Sequence, residues 1–174
     1  MAFGQMGERN DPVMGYNFLI ALIDTTNVFT AALGAISALA SGGFSECSGL
    51  ETGMDVEDYR EGGSNSSVLK FPTRVTWTNI RLRRGIAWSD DLWKWHDGFV
   101  KGKGKRRDGV IVLLNDERNP AKVWQLSRAL PVRWAGPSLN ALQSQVAIEE
   151  LELAHEGMRL LPIGAIQAAA GLFG

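Results

Sequence analysis

The sequence is short of the residues that most chemistry requires. It has one cysteine, Cys47, and two histidines, His96 and His155. A single cysteine excludes an internal disulfide framework and any multi-cysteine metal site. It fits a reducing compartment. The two histidines are far apart in sequence and neither sits at ligand spacing from another, so zinc or iron chemistry lacks its donors. His96 reads as a structural or surface residue. Charge of one sign is also lacking. The formal net charge is -1 over 174 residues, which predicts no polyanionic partner. The amino terminus has no basic run leading into an apolar core, so a secretory signal is not expected. Long hydrophobic runs are missing too. The most apolar stretch, TTNVFTAALGAISALASGG (25–43), has 13 residues from Val28 to Ala40 and includes Thr30 and Ser37. As a helix those residues reach about 20 Å, against a hydrocarbon core of about 30 Å, so no membrane span is expected.

What is present is ordinary for a folded domain: 45% apolar and 21% charged residues in a length that suits one core. YNFLIALID, from Tyr16, reads as a buried strand. FSECSGLE and TGMDVEDYREGG follow, with Thr52-Gly53 read as a turn between two strands and Gly62-Gly63 as the end of the second. SNSSVLKFP reads as a polar loop closing on Pro72. From Thr73 to Ile86 the chain alternates, but Val75 and Trp77 share one face while Ile80, Leu82 and Ile86 take the other. This predicts a bulge or a strand serving two surfaces. Ser89 is the expected N-cap of the one clear helix, with Leu92, Trp95 and Phe99 on a single face and Gly102 at its end. VWQLSRALPVRW alternates best, with Trp124, Leu126, Leu130, Val132 and Trp134 on one side and Gln125, Ser127 and Arg133 opposite. Pro131 argues for an edge or a bulge. ALQSQVAIEELELAHEG reads as a long final strand whose phase shifts between Val146/Ile148 and Leu151/Leu153. The fold expected is mainly β, an antiparallel sandwich or barrel with one flanking helix, in a single domain over 1–174.

No catalytic constellation emerges. Cys47 reads as a packing residue rather than a nucleophile. Asp90-Asp91 and Glu149-Glu150 are explained by helix capping and solvated strand edges rather than by a glycosidase pair. KGKGKRRDG lacks GK[ST] and follows a helix, so it is a poor phosphate loop. As a nucleic-acid patch it is stronger, since Lys101, Lys103, Lys105, Arg106 and Arg107 could meet phosphates beside exposed aromatics. Against that, five of the six tryptophans are expected in the core. Charge is segregated along the chain. Residues 46–61 hold six acids and one arginine, net -5, whereas residues 70–107 hold eleven basic and three acidic residues, net +8. Either the two segments neutralise each other within the fold, or the acidic surface of one copy meets the basic surface of the next.

YNFLIALID, FSECSGLETGMDVEDYREGG, LKFPTRVTWTNIRLRRGI, DLWKWHDGFVKGKGKRRDG, VIVLLND, ALPVRWAGPSLNA and VAIEELELAHEG, in that order and spacing, resemble the tail tube proteins of contractile-tailed phages and the inner-tube proteins of related contractile injection systems. The tube of type VI secretion is similar but matches less closely. The resemblance covers most of Tyr16 to Gly157. It implies hexameric rings stacked into a hollow tube inside a contractile sheath, with baseplate and tube-cap partners and with protein effectors or DNA as cargo. Such a subunit is assembled in the cytoplasm and ends in a phage tail or tail-like particle. No catalysis, cofactor or metal is implied. The hairpin from Leu50 to Gly62 would be the protruding element, with Met54, Asp55, Val56, Glu57, Asp58, Tyr59 and Arg60 in ring-to-ring contacts. The basic run would meet a neighbouring subunit or the sheath. Residues 25–43 are an insertion relative to the family pattern, and 158–174 form an apolar tail longer than expected. Val28, Phe29, Leu33, Ile36 and Leu39 are expected at a subunit contact, because an apolar insertion on a repeating subunit is better buried than solvated.

Overall fold

The computed structural model describes residues 12–23, 43–60 and 68–162. In these residues the chain forms β1 (Phe18–Ile23), β2 (Phe44–Ser48), β3 (Thr52–Tyr59), β4 (Leu69–Trp77), β5 (Ile80–Gly85), α1 (Asp91–Val100), β6 (Arg107–Leu114), β7 (Pro120–Ala135), β8 (Ile148–Ala154) and β9 (Gly157–Leu161). All pairings are antiparallel. The main sheet runs β1-β6-β7-β8-β5-β2, with β9 also on β7; β3 and β4 pair only with each other.

Strand β7 makes a sandwich out of this path. Its first half pairs with β6 and β9, and its second half, from Leu130, pairs with β8. One layer is therefore β1-β6-β7-β9 and the other β7-β8-β5-β2. The turn from one to the other falls at Arg128, held at φ 50 with its N–H donated to Asp108 Oδ1 at 2.7 Å, and at a bulge between Pro131 and Arg133. Pro131 therefore sits at a bulge. The alternation read across 124–134 does not survive the corner: Gln125 is buried and Val132 is exposed. Gln125 lies on the outer face of the first layer, where Arg159 donates to its Oε1 at 2.9 Å.

Between the layers pack Ile20, Ile80, Leu82, Ile111, Leu126, Leu151 and Leu153, joined by Leu92 and Trp95 from α1. The outer face of the first layer is apolar as well, with Val110, Val112, Leu114 and Val123 buried and Leu19, Ile23 and Leu161 against them. That explains why β6 reads as a continuous apolar run rather than an alternation.

Several boundaries differ from expectation. Thr52-Gly53 are the first residues of β3; the turn is at Gly49, at φ +90, where an added Cβ would lie 2.1 Å from the Asn79 carbonyl oxygen. The polar loop expected to close on Pro72 is partly strand, since Leu69 to Pro72 belong to β4. The phase shift in Thr73–Ile86 is a break between two strands of different sheets, at Thr78 and Asn79. The long final strand is β8, starting only at Ile148, and it continues past His155-Glu156 into β9 along the same side of β7. Met158 to Leu161, read as the start of an apolar tail, thus belong to the sheet. The helix N-cap is Asp90, not Ser89.

Glu149 is not on a solvated edge. It is 7% exposed, beside Arg84 at 5%, and Arg84 Nε lies 2.6 Å from Glu149 Oε1. Trp134 Nε1 donates to Glu149 Oε2 at 2.9 Å, and the Arg84 guanidinium stands over the Phe44 ring at 5.8 Å. The group ties β2, β5, β7 and β8 together. Removing one charge strands the other in the interior, which costs about 3–5 kcal/mol. Arg84→Met is expected to lower stability by that amount in urea unfolding, and Arg84→Met/Glu149→Leu to recover most of it; equal losses in both would contradict the pairing. Cys47, on β2, packs against the core, and burial pushes its thiol up from 9.0 to about 11. Burial disfavours the thiolate, so at pH 8 native-state alkylation by iodoacetamide should run about 100-fold slower than in the urea-unfolded chain, rising as pH approaches the folded value.

Candidate assembly surfaces

The β3–β4 ribbon stands out from the sandwich. Every residue of β3 is exposed, and so is every residue of β4 except Trp77. Pairing runs from Thr52↔Trp77 at the root to Tyr59↔Leu69 at the far end, with a bulge between Met54 and Val56. Met54, Asp55, Val56, Glu57, Asp58 and Tyr59 lie on β3, and Arg60 follows it, exposed. The protruding element is thus larger than the expected Leu50–Gly62, because its second arm is β4. Alternation along β3 puts Met54 and Val56 on one face, with their partners Val75 and Pro72. Tyr59 and Phe71 meet edge to face on the other, ring centroids 5.9 Å apart. Met54, Val56, Tyr59, Val68, Leu69, Phe71 and Val75 are all exposed large hydrophobics. A two-stranded ribbon is marginal alone in water, and this one has no apolar layer beneath it.

Its root is well held. The Thr78 N–H donates to the Glu51 carbonyl at 3.4 Å, and His155 Nε2 donates to the Thr78 carbonyl at 3.2 Å. Asn79 Nδ2 donates to Glu152 Oε1 at 2.8 Å. Ser48, Gly49, Glu51, Thr78, Asn79, Arg81 and Glu152 line a polar cavity of about 420 Å³ there.

The charge segregation resolves mostly within the fold, but not as a simple match of the two segments. Arg83–Glu46 at 3.1 Å and Lys70–Asp58 at 2.9 Å do join them. Three more arginines of the basic segment turn to the acids of β8 and its end: Arg81–Glu152 at 3.8 Å, Arg84–Glu149 at 2.6 Å and Arg106–Glu156 at 3.0 Å. Among the described residues the carboxylates of Asp55 and Glu57 and the ammonium groups of Lys103 and Lys105 keep no partner.

The run Lys101–Arg107 is mainly a helix ending. Gly102, at φ +70, lets its N–H reach the Phe99 carbonyl at 3.0 Å, and the Lys103 N–H reaches the Gly98 carbonyl at 2.8 Å. Gly104 lies against Phe99, where a Cβ would fall 2.3 Å from the ring. Trp95 Nε1 donates to the Lys105 carbonyl at 2.8 Å. Lys101 pairs with Asp97, Arg106 also donates to the Arg128 carbonyl at 3.1 Å, and Arg107 lies over the Trp95 ring at 4.9 Å. The glycines therefore serve the helix ending and the Phe99 contact, and only Lys103 and Lys105 are left for a partner. The expected core placement of five tryptophans is also revised. Trp95, Trp124 and Trp134 pack in the core, whereas Trp88 is fully exposed and Trp93 is half-exposed. Trp93 packs edge to face on Trp134 at 4.7 Å.

Sequence reasoning missed one surface. Ile86, Trp88, Leu139, Leu142, Val146 and Ile148 are exposed large hydrophobics at or beyond the far ends of β5 and β8. The Ile86 N–H donates to the Ala147 carbonyl at 2.9 Å, which closes that end. The signal was available: residues 135–147 contain no charged side chain. Val28, Phe29, Leu33, Ile36 and Leu39, expected at a subunit contact, lie outside the described residues. Among the described residues no helix is long and apolar enough to cross a membrane, and no cluster of His, Cys, Asp or Glu is placed to hold a metal ion.

The fold is shared with chains of solved structures. A chain in the anti-feeding prophage baseplate, solved with six-fold symmetrisation, matches at a TM-score of 0.72 with 30% identity, over 89% of this chain and 99% of that one. A chain in the sheath-tube complex of an extracellular contractile injection system in its extended state matches at 0.70 with 25% identity, over 87% and 93%. The anti-feeding prophage tube-terminating cap shares the fold, at a TM-score of 0.71 and 22% identity over 88% and 93%. No curated protein matches the chain. The model of the T4-like virus tail tube protein gp19 family matches residues 14–159, and the chain belongs to that family.

Proposed function

We propose that this protein is a repeating structural subunit of the inner tube of a contractile particle and carries no catalytic activity. Six copies close into a ring, and rings stack into a hollow conduit for protein or DNA, inside a sheath and between a baseplate and a cap. The observation that carries this reading is the β3–β4 ribbon: long, fully exposed, rich in large apolar side chains and unpaired within its own chain. A segment of that kind is an aggregation hazard on a monomer and is blunted when a neighbour covers it. The six-fold symmetry and the sheath-tube setting of the similar structures support the ring and the stack. Met54 to Arg60 then form ring-to-ring contacts. Lys103 and Lys105 remain free for a neighbouring subunit or the sheath.

Purified protein is expected to form rings and tubes in negative-stain images, whereas uniformly small particles under all conditions would overturn the reading. Replacing residues 54–75 by Asn-Gly keeps the root pairs Thr52↔Trp77 and Gly53↔Thr76 and closes them with a tight turn. That variant should keep the circular dichroism and urea midpoint of the sandwich yet form no tubes; tubes of normal length would show that the ribbon is dispensable.

A further inference from the structure

The ribbon and the uncharged apolar surface lie at opposite ends of the same strand. Ile80 begins β5 beside the ribbon root, separated from Trp77 by Thr78 and Asn79, and Gly85 ends it, paired with Ile148. Along β5 the two ends are about 17 Å apart. On the neighbouring edge strand the polarity agrees: Ser48, next to the root, pairs with Arg81, while Phe44 pairs with Arg84 toward the other end. The ribbon leaves the β2–β5 pair at the Ile80 end, the end opposite the apolar surface.

We propose that this surface, made by Ile86, Trp88, Val146 and Ile148 with Leu142 beside them, is the receptor for the ribbon of a second copy. The inference rests on the tube-subunit reading and adds to it the surface that receives the ribbon. Composition supports the match. Val146 is 77% and Leu142 95% exposed, and with no Asp, Glu, Lys or Arg in 135–147 the patch has the charge depletion of an interface centre. Trp88 supplies an aromatic anchor of the kind that dominates binding energy. The ribbon offers one suitable face. Met54, Val56, Pro72 and Val75 share it, and its charges, Asp58 and Lys70, neutralise each other at 2.9 Å. The unpaired Asp55 and Glu57 fall on the opposite face by alternation, away from the apolar contact. Ribbon and patch are different surfaces, so each docked copy retains one free ribbon and one free patch. The contact is heterologous and propagates along a line instead of closing on itself.

Cross-linking tests this in assembled protein. With Cys47→Ser to remove the only native thiol, Met54→Cys and Val146→Cys are combined and the assembled tubes oxidised. The expected result is a ladder of covalent oligomers from the double variant, no ladder from either single variant, and none when the subunits are dispersed before oxidation. Tubes that assemble but yield no ladder would overturn the contact while leaving the tube reading intact. Absence of rings and tubes from the unmodified protein would instead overturn the tube reading, and this inference with it. Independently, Val146→Asp and Trp88→Ser, both at exposed positions, should shorten tubes at least tenfold with circular dichroism unchanged. Lys122→Gln, an exposed position on β7 away from both ribbon and patch, should leave their length as it was. Equal lengths across all three variants would refute the docking.

Discussion

The buried pair of Arg84 and Glu149 is the constraint on which the second layer of the sandwich depends. A slip of β5 against β8 by one residue would bring Arg84 to the other face and leave Glu149 inside without its counter-charge. Apolar packing opposes the same slip, since Ile80 and Leu82 would turn outward with Arg84, but it resists a two-residue slip less strictly, because Ile80, Leu82, Leu151 and Leu153 are similar in size and all non-directional. Trp134 and Phe44 extend the same group to β7 and β2. One polar cluster thus aligns four strands. Both candidate assembly surfaces lie at the ends of strands it aligns, the ribbon before Ile80 and the apolar patch after Gly85. Their relative placement inherits its precision.

The division of labour between layers follows from sequence pattern. The first layer is apolar on both faces and contributes bulk. The second alternates strictly on β5, with Ile80, Leu82 and Arg84 inward and Arg81 and Arg83 outward. The outward arginines find the acids of β8, Glu150 and Glu152, across the strand pair. Exposed ion pairs of this kind contribute little stability each. Their larger effect here is to use up charge, so that a chain with eleven basic residues between 70 and 107 shows few unpartnered ones.

How much of this was legible in the sequence depends on the range of the determining contacts. The helix, its Leu92/Trp95/Phe99 face and its Gly102 ending were readable, because each follows from residues within two turns. The family resemblance carried the architecture and the protruding element. The extent of the ribbon was not readable: Leu69 to Pro72 are polar-flanked, contain a proline and look like a loop until β3 is placed opposite them. The burial of Glu149 was hidden for the same reason, since only β5 supplies its partner. The corner in β7 escaped because a bulge resets the alternation that pattern reading relies on. The apolar patch was overlooked because Val146 and Ile148 were read as one phase of the long final strand, whereas they stand at the mouth of the strand pair.

The join between ribbon and sandwich has a mechanical meaning. Strand β4 enters β5 after two residues, and β2 reaches β3 through the short turn at Gly49. A pull along the ribbon is therefore delivered to β2 and β5 along their own length. Antiparallel hydrogen bonds run across the strands, perpendicular to such a load. The ladder is strained in shear, all of its bonds sharing the force at once, instead of being peeled open one bond at a time from an end.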